Sequence, residues 1–432
     1  MYSLAKLPKG QSALKTALRR SITSKASSAG GVSVIGFENK GPAATSSLTV
    51  AVKAGSRFEN TPGVAHVLKN FAFKATASAS SLRTARETEL YGGVLSAGLT
   101  REHLYLTAEF LRGDEEHFLS VLTSVLSSSH FHPYELKELV LPVVQAESVA
   151  AQSTPATYAL DVAHQLAFRK GLGNSLYASP HYPVTIDDVK TFAQGAFSKS
   201  NLAVIGSGIS TESLSQVVSS AFGSGSSAPG SSGLNTQSTS YYGGEARIPL
   251  DIHAPATSTP TLVIAYGQSS KAGPELKVLK HLLGGESSLK WTPGSSPLSQ
   301  VAEKVPGASA KAFLLPYSDA SLFGVVVSAP TSPQLAGLAK EVAQVLKSAG
   351  QSVKDEEVKR AVAKATFADA SASETLQGLV ANVGPALFAG GEVKSESFSG
   401  VSASSIQKAA SELLKAKPTV VAVGNVNVLP YA

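Results

Sequence analysis

The strongest constraint on the fold is a set of apolar segments that recurs after 218 residues. Two of these segments are NLAVIGSG at 201–208 and TVVAVGNV at 419–426. Each is an apolar run rich in β-branched residues that ends in a glycine, which is a pattern typical of buried strands. A second pair of strand-like segments begins at Leu104 and Leu322, and a helical pattern follows each of them. Each pair is weak evidence alone, but the shared offset predicts a duplicated domain.

Two lobes of one kind account for most of the chain. The chain has 432 residues, which is enough for two domains of ordinary size. In each half several strands precede a helix-rich stretch, and this order favours the α+β class over strict alternation of strands and helices. Residues 222–240 are rich in Gly and Ser and predict a flexible linker. We therefore assign residues 29–221 to the first lobe and residues 241–432 to the second.

The N-terminal segment has a composition of its own. The first 37 residues contain six Lys or Arg and no Asp or Glu, whereas the rest of the chain has 31 basic and 31 acidic residues. Leu14, Leu18 and Ile22 would form one face of a cationic amphipathic helix. Such a segment is typical of a mitochondrial transit peptide, which we assign to residues 1–28. A disordered basic tail and a chloroplast address are the alternatives.

Composition also excludes several classes of function. The chain has no Cys, so disulfides, thiolate zinc sites, cysteine nucleophiles and c-type haem attachment are excluded. No segment approaches the roughly 18 consecutive apolar residues of a transmembrane helix, so none is predicted. Without its N-terminal segment the chain has no net charge, which gives no support to nucleic-acid binding.

The stretch TPGVAHVLKNFAFKAT at 61–76 has the clearest chemical implication. It resembles the zinc helix of the pitrilysin-type metallopeptidases, a family that includes the mitochondrial processing peptidase and the core proteins of the cytochrome bc1 complex. The family pattern is H-x-x-E-H, with a further Glu about 76 residues later. Two His four residues apart share a helical face and bind one Zn²⁺, while the Glu between them activates the metal-bound water. The segments at 86–93 and 100–104 continue the resemblance.

The resemblance places His66 at the first ligand position, Lys69 at the general base, Asn70 at the second ligand and Glu147 at the third. An amide oxygen is a poor zinc ligand compared with imidazole, and a protonated Lys69 would repel a divalent cation. A protonated lysine cannot accept a proton from water, and loss of a general base costs about 10²–10⁴ in rate. We predict a degenerate zinc site with no bound metal, no catalytic residue and no cofactor. Without the family pattern, His66 would be interpreted as an ordinary core or surface histidine.

The resemblance also implies a fold and a role. It implies two homologous lobes, each a mostly antiparallel sheet packed with helices. Residues 283–298 lack the dense glycine run of the non-catalytic processing-peptidase subunit, and residues 283–298 and 317–324 instead match a core protein. This implies a non-catalytic structural subunit of the mitochondrial cytochrome bc1 complex, peripheral on the matrix face of the inner membrane.

The implied partners are a sister core subunit, cytochrome b, cytochrome c1, the iron–sulfur subunit and small subunits, in a dimeric multisubunit assembly. The chain itself would hold no haem or quinone. The alternative is a presequence-binding, non-catalytic subunit of a heterodimeric mitochondrial processing peptidase. A residual monomeric peptidase is a third possibility, which Lys69 and Asn70 make the weakest of the three.

Overall fold

The computed structural model describes residues 26–38, 44–223, 234, 237–250, 258–285, 294–390, 393 and 397–430. The predicted transit peptide lies outside the described residues except for residues 26–28. Most of the predicted linker at 222–240, and residues 286–293 of the segment compared with the glycine-rich loop, also lie outside them. The domain boundaries therefore stay predictions.

Six of the described strands form the first sheet, in the order β1-β2-β6-β3-β5-β4. They are β1 Ser27–Ala29, β2 Val32–Phe37, β3 Thr45–Val52, β4 Val94–Leu99, β5 Leu104–Leu111 and β6 Leu202–Ser207. Strands β2 and β6 pair in parallel, and the other neighbours are antiparallel. Strand β3 is buried along nearly its whole length because both faces of this sheet are covered.

Five described strands form the second sheet, in the order β7-β11-β8-β10-β9. They are β7 Gly244–Pro249, β8 Thr261–Gln268, β9 Ser309–Pro316, β10 Ser321–Ser328 and β11 Thr419–Gly424. This order repeats β2-β6-β3-β5-β4 strand for strand, and the single parallel pair, β7 with β11, has the corresponding place. The predicted duplication and the α+β class with mostly antiparallel sheets are confirmed.

Helices pack around both sheets. In the first lobe they are α1 Val64–Phe71, α2 Ser81–Leu90, α3 Glu115–Ser128, α4 Leu141–Ser153, α5 Pro155–Phe168, α6 Ile186–Ala196 and α7 Thr211–Gly223. In the second lobe they are α8 Pro274–Leu283, α9 Pro297–Glu303, α10 Ser332–Ala349, α11 Asp355–Ala372, α12 Leu376–Phe388 and α13 Ala403–Leu414. A helical turn at Pro133–Glu135 and a π-helical turn at Leu136–Val140 lead into α4. No described helix is long and apolar enough to cross a membrane.

The two lobes exchange one helix each. Helix α5 of the first lobe packs on β8 and β11 of the second sheet, and α12 of the second lobe packs on β6 of the first. The face of α5 consists of Ala159, Ala163 and Ala167, all fully buried, and these small side chains permit close approach to the sheet. Helix α12 contributes larger apolar side chains, including Leu379 and Val383. Neither sheet has both faces covered without the other lobe.

A buried polar contact joins the lobes beside these helices. Arg57, whose side chain is 4% exposed, donates to both carboxylate oxygens of Asp319 at 2.7 Å and to Glu102 at 2.8 Å. Glu102 in turn accepts from the backbone N–H and the hydroxyl of Ser318. Tyr317 hydrogen-bonds His164 of α5 at 2.7 Å. The turn between β9 and β10, whose sequence contributed to the resemblance, is thus an interlobe contact.

Candidate functional site

Helix α1 places three of the four candidate residues on one face. It begins after Gly63, whose φ of +85° is left-handed and where a Cβ would lie 2.6 Å from Ala178. Oε2 of the Glu59 carboxyl group accepts from the N–H of Ala65 at 3.3 Å and satisfies a free donor of the first turn. One side of α1 is apolar and packs into the core. Residues at i, i+3 and i+4 share the other side. These residues are His66, Lys69 and Asn70.

Glu147 on α4 faces α1 and accepts hydrogen bonds from all three candidate side chains. His66 Nε2 lies 2.6 Å from Glu147 Oε2. Lys69 Nζ lies 2.7 Å from each carboxylate oxygen, and Asn70 Nδ2 lies 3.0 Å from Oε2. Asn70 also donates to the backbone carbonyl of His66 at 3.2 Å. The structure therefore brings together all four residues that the sequence singled out.

The second ring nitrogen of His66 is also engaged. Its Nδ1 accepts a hydrogen bond from the backbone N–H of Ala178 at 3.1 Å. An accepting Nδ1 has no proton, so neutral His66 carries its proton on Nε2 and donates it to Glu147. The ring is 3% exposed and stands edge-on to Tyr177, with centroids 5.6 Å apart. Neither nitrogen of His66 has a lone pair available to a metal in this arrangement.

The charges of the site compensate one another. Burial disfavours the ionised form of Glu147, but hydrogen bonds from Lys69, Asn70 and His66 outweigh it and lower its pKa to about 2. Burial lowers the pKa of His66 below its usual value, although Glu147 acts in the opposite direction. At neutral pH the site thus consists of one ammonium, one carboxylate, a neutral imidazole and an amide. The Lys69 ammonium supplies the positive charge beside Glu147.

These residues do not suit a zinc ion. Zinc in peptidases takes three protein ligands and a water, whereas here one imidazole and one carboxylate are hydrogen-bonded to each other. Lys69 Nζ contacts both oxygens of the carboxylate that would bind the metal. Among the described residues, no group of three or more His, Asp or Glu side chains could hold a metal ion. No water-activating base remains either, since the base position is an ammonium.

Several residues that hold the site in place could not be recognised from the sequence. Ala178 acts through its backbone, and Glu59 acts as a helix cap six residues before Ala65, so neither has a side-chain pattern to recognise. In the sequence, only the family resemblance distinguishes the segment at 100–104. Its Arg101, Glu102 and His103 are all buried, and Arg101 forms a 2.6 Å ion pair with Asp161 of α5. Three consecutive polar residues between two strands suggest an exposed turn, but the second lobe covers this one.

Comparison with known families gives two matches along the chain. The family model described as insulinase, peptidase family M16, matches residues 34–179. The model described as the peptidase M16 inactive domain matches residues 183–365. The second match begins before β6, although β6 completes the first sheet. The boundary between the two sheets therefore lies after β6, whereas the boundary between the two family matches lies before it.

Relatives of similar length share one description. A protein of Cryptococcus neoformans var. grubii named cytochrome b-c1 complex subunit 2, mitochondrial, is 69% identical over 434 residues, covering 100% of this chain and 99% of the relative. A protein of the same name from Yarrowia lipolytica is 36% identical, with 99% of each chain covered. The human protein of that name is 31% identical over 68% of this chain and 65% of its own length.

Proposed function

Because the chain belongs to peptidase family M16, and because its relatives are named as subunit 2 of the cytochrome b-c1 complex, we propose that it is a non-catalytic structural subunit of that complex. The chain is not a peptidase in its own right. Its role is to support the assembly and stability of a respiratory complex that transfers electrons from ubiquinol to cytochrome c. The chain would contribute no cofactor of its own to that transfer.

The observation that carries this proposal is the replacement of zinc chemistry by a salt bridge. Lys69 Nζ contacts both oxygens of Glu147, and both nitrogens of His66 are hydrogen-bonded. A peptidase site needs an open coordination position and a free base, whereas here every polar group has a partner within the protein. The site therefore ties α1 to α4 and performs no chemistry. We propose that it binds no metal and contains no catalytic residue.

The proposed cellular location and partner subunits follow from the same assignment. We place the chain in mitochondria, peripheral on the matrix face of the inner membrane. Its proposed partners are a sister core subunit, cytochrome b, cytochrome c1, the iron–sulfur subunit and small subunits. The acid-free composition of residues 1–28 supports import into mitochondria. The interlocked lobes support a rigid scaffold, since each sheet is covered by a helix of the other lobe.

The test is purification of the native protein from mitochondrial membranes in a mild detergent. We expect it to migrate with haem-containing subunits in a native gel and to remain with them at moderate salt. Deletion of the chain should reduce the amount of assembled complex and the rate of ubiquinol-dependent cytochrome c reduction together. A haem-free heterodimer that cleaves presequences would contradict the proposal and favour a processing-peptidase subunit.

A further inference from the structure

The second lobe has a counterpart of the candidate site with a different charge. The sequence Val-Leu-Lys at 67–69 of α1 recurs at 278–280 of α8, where it is followed by His281 in place of Asn70. Helix α8 packs on α11, as α1 packs on α4. In the first lobe Glu147 of α4 neutralises the lysine, whereas α11 presents Lys364 beside His281. The duplication therefore allows Lys69, which Glu147 neutralises, to be compared with Lys280, which lies among further cations.

Four side chains from three elements form this basic cluster, which we define as Lys280, His281, Lys311 and Lys364. The end of α8 lies against β9, because the carbonyl of Gly284 accepts from the N–H of Ala312 at 2.9 Å. A Cβ at Gly285 would lie 2.7 Å from the Cα of Lys311, so the chain passes directly over that residue. Lys311 and Lys364 are exposed, while Lys280 and His281 are half-buried.

No described carboxylate forms an ion pair or hydrogen bond with Lys280, Lys311 or Lys364. Burial lowers the pKa of Lys280, and the positive charges of Lys311 and Lys277 lower it further. Burial, followed by the charges of Lys280 and Lys364, lowers the pKa of His281 to about 4, so this imidazole is neutral at pH 7. Lysines in the last turn of a helix are favoured by its dipole, which accounts for Lys280. The dipole does not account for cations on β9 and α11.

We propose that the basic cluster binds a compact phosphate-bearing anion. Lysine ammonium groups bind phosphate as point charges, and a neutral His281 provides a further hydrogen-bond donor. The cations come from α8 and from β9 and α11, which both contact α8. This arrangement around one helix end suits a compact multivalent anion better than an extended acidic peptide. Phe367 lies one turn beyond Lys364 on α11 and is 68% exposed, so an apolar contact is available beside the charges. The phosphate belongs either to a soluble polyphosphate or to a phospholipid headgroup.

The test compares two double variants of the full-length chain. The first, Lys280→Gln with Lys364→Gln, removes two charges of the basic cluster. The second, Lys340→Gln with Lys415→Gln, removes two exposed charges elsewhere in the same lobe. We expect the unaltered chain to bind tripolyphosphate in calorimetry. The first variant should bind at least about tenfold more weakly, because a lost charge-assisted hydrogen bond is worth roughly a factor of ten. The control should change less than about twofold by the same reasoning.

Vesicle flotation distinguishes the two sources of phosphate. Co-flotation with vesicles that contain phosphatidylglycerol, lost in the first variant and in Phe367→Ser, would assign a lipid headgroup. Tripolyphosphate binding without flotation would assign a soluble anion. If Lys280→Gln unfolds the chain in a thermal melt, Lys311→Gln with Lys364→Gln replaces it, since both residues are exposed. Absence of binding in both assays, equal losses in the control, or preference for polyglutamate would overturn the proposal.

Discussion

Lys69 Nζ lies 2.7 Å from each carboxylate oxygen of Glu147, across 78 positions of sequence. The same carboxylate accepts from His66 and Asn70, so one residue of α4 holds three residues of α1. In a working member of the family this place is taken by a metal ion and its water. Here a side chain of the protein supplies the positive charge permanently. The predictions about this site depend on that substitution of an ammonium for a metal.

The Lys69–Glu147 pair should contribute measurably to stability. Lys69→Met keeps the apolar stem but removes the charge, and it leaves the partly exposed carboxylate of Glu147 without its cation. We expect the free energy of unfolding to fall by roughly 1–2 kcal/mol, a value reduced because Glu147 is partly exposed. Urea titration at pH 7 measures the loss. As a control, Lys304→Met breaks an exposed pair with Glu341 and should cost less than about 0.5 kcal/mol.

The pH dependence of the same pair has a definite sign. The pKa of Glu147 is depressed to about 2 in the folded chain, so its contribution is present above the unfolded value of 4.5. That contribution is lost as the pH falls from 4.5 towards 2. Lys69→Met should raise the pKa of Glu147 and reduce this part of the acid sensitivity. Equal acid sensitivity of both chains would contradict the assignment of the pair.

Two substitutions should restore metal binding to the first lobe. Lys69→Glu with Asn70→His recreates the family pattern on a helix that already faces Glu147. Nε2 of His66 is the nitrogen directed towards the site, and it can bind the metal once its proton has moved to Nδ1 and the hydrogen bond from Ala178 is given up. We expect about one zinc per chain after dialysis, measured by mass spectrometry, because three ligands then converge. Adding Glu147→Ala should remove the metal, and Asn70→His alone should bind little of it while Lys69 remains.

More of the fold than of the contacts between the lobes could be predicted from the sequence. The duplication could be predicted from strand pairs at a constant offset. Buried strands need continuous apolar runs, and these runs are present in both copies. The exchange of α5 and α12 could not be predicted. The small apolar face of α5 is equally compatible with packing on its own sheet, and sequence spacing does not say which lobe covers a helix. The contact of Arg57 with Asp319 spans 262 positions and has no local pattern at all.

The site itself was predictable as a set of residues but not as an arrangement. Helical spacing and the family pattern identify His66, Lys69, Asn70 and Glu147. They do not say whether Lys69 points to solvent or to Glu147, because a lysine side chain reaches either. The tautomer of His66 depends on the backbone N–H of Ala178, 112 positions away, and only the fold brings it there.

The interlobe contact of Arg57 with Glu102 and Asp319 should contribute more to stability than an exposed ion pair does. Arg57→Met leaves Glu102 buried without its cation and removes both bonds to Asp319. We expect a loss of roughly 3–5 kcal/mol in unfolding free energy, the usual effect of breaking a buried pair from one side. Arg83→Met is the matched control, because Arg83 forms an exposed pair with Glu87 within α2. A loss at Arg57 no larger than at Arg83 would show that the lobes do not depend on this contact.

The buried carboxyl group of Glu59 should make the chain less stable as the pH rises from about 4.5 to about 8. Burial raises its pKa to about 8 despite hydrogen bonds from the N–H groups of Gly63 and Ala65. The folded chain therefore binds a proton that the unfolded chain releases near pH 4.5, and stability falls as the pH rises towards 8. The slope is at most about 1.4 kcal/mol per pH unit. Between pH 6.5 and 8, Glu59→Gln should flatten the profile. An unchanged slope would contradict protonation of Glu59.

The zinc content of the purified full-length chain decides whether its zinc site is degenerate. The chain should be dialysed against a buffer with trace zinc and analysed by mass spectrometry beside the Lys69→Glu, Asn70→His variant. We expect well under one zinc per chain for the natural sequence, because Lys69 occupies the carboxylate of Glu147 and both nitrogens of His66 are hydrogen-bonded. One zinc per chain, lost together with peptidase activity in Glu147→Ala, would contradict this expectation.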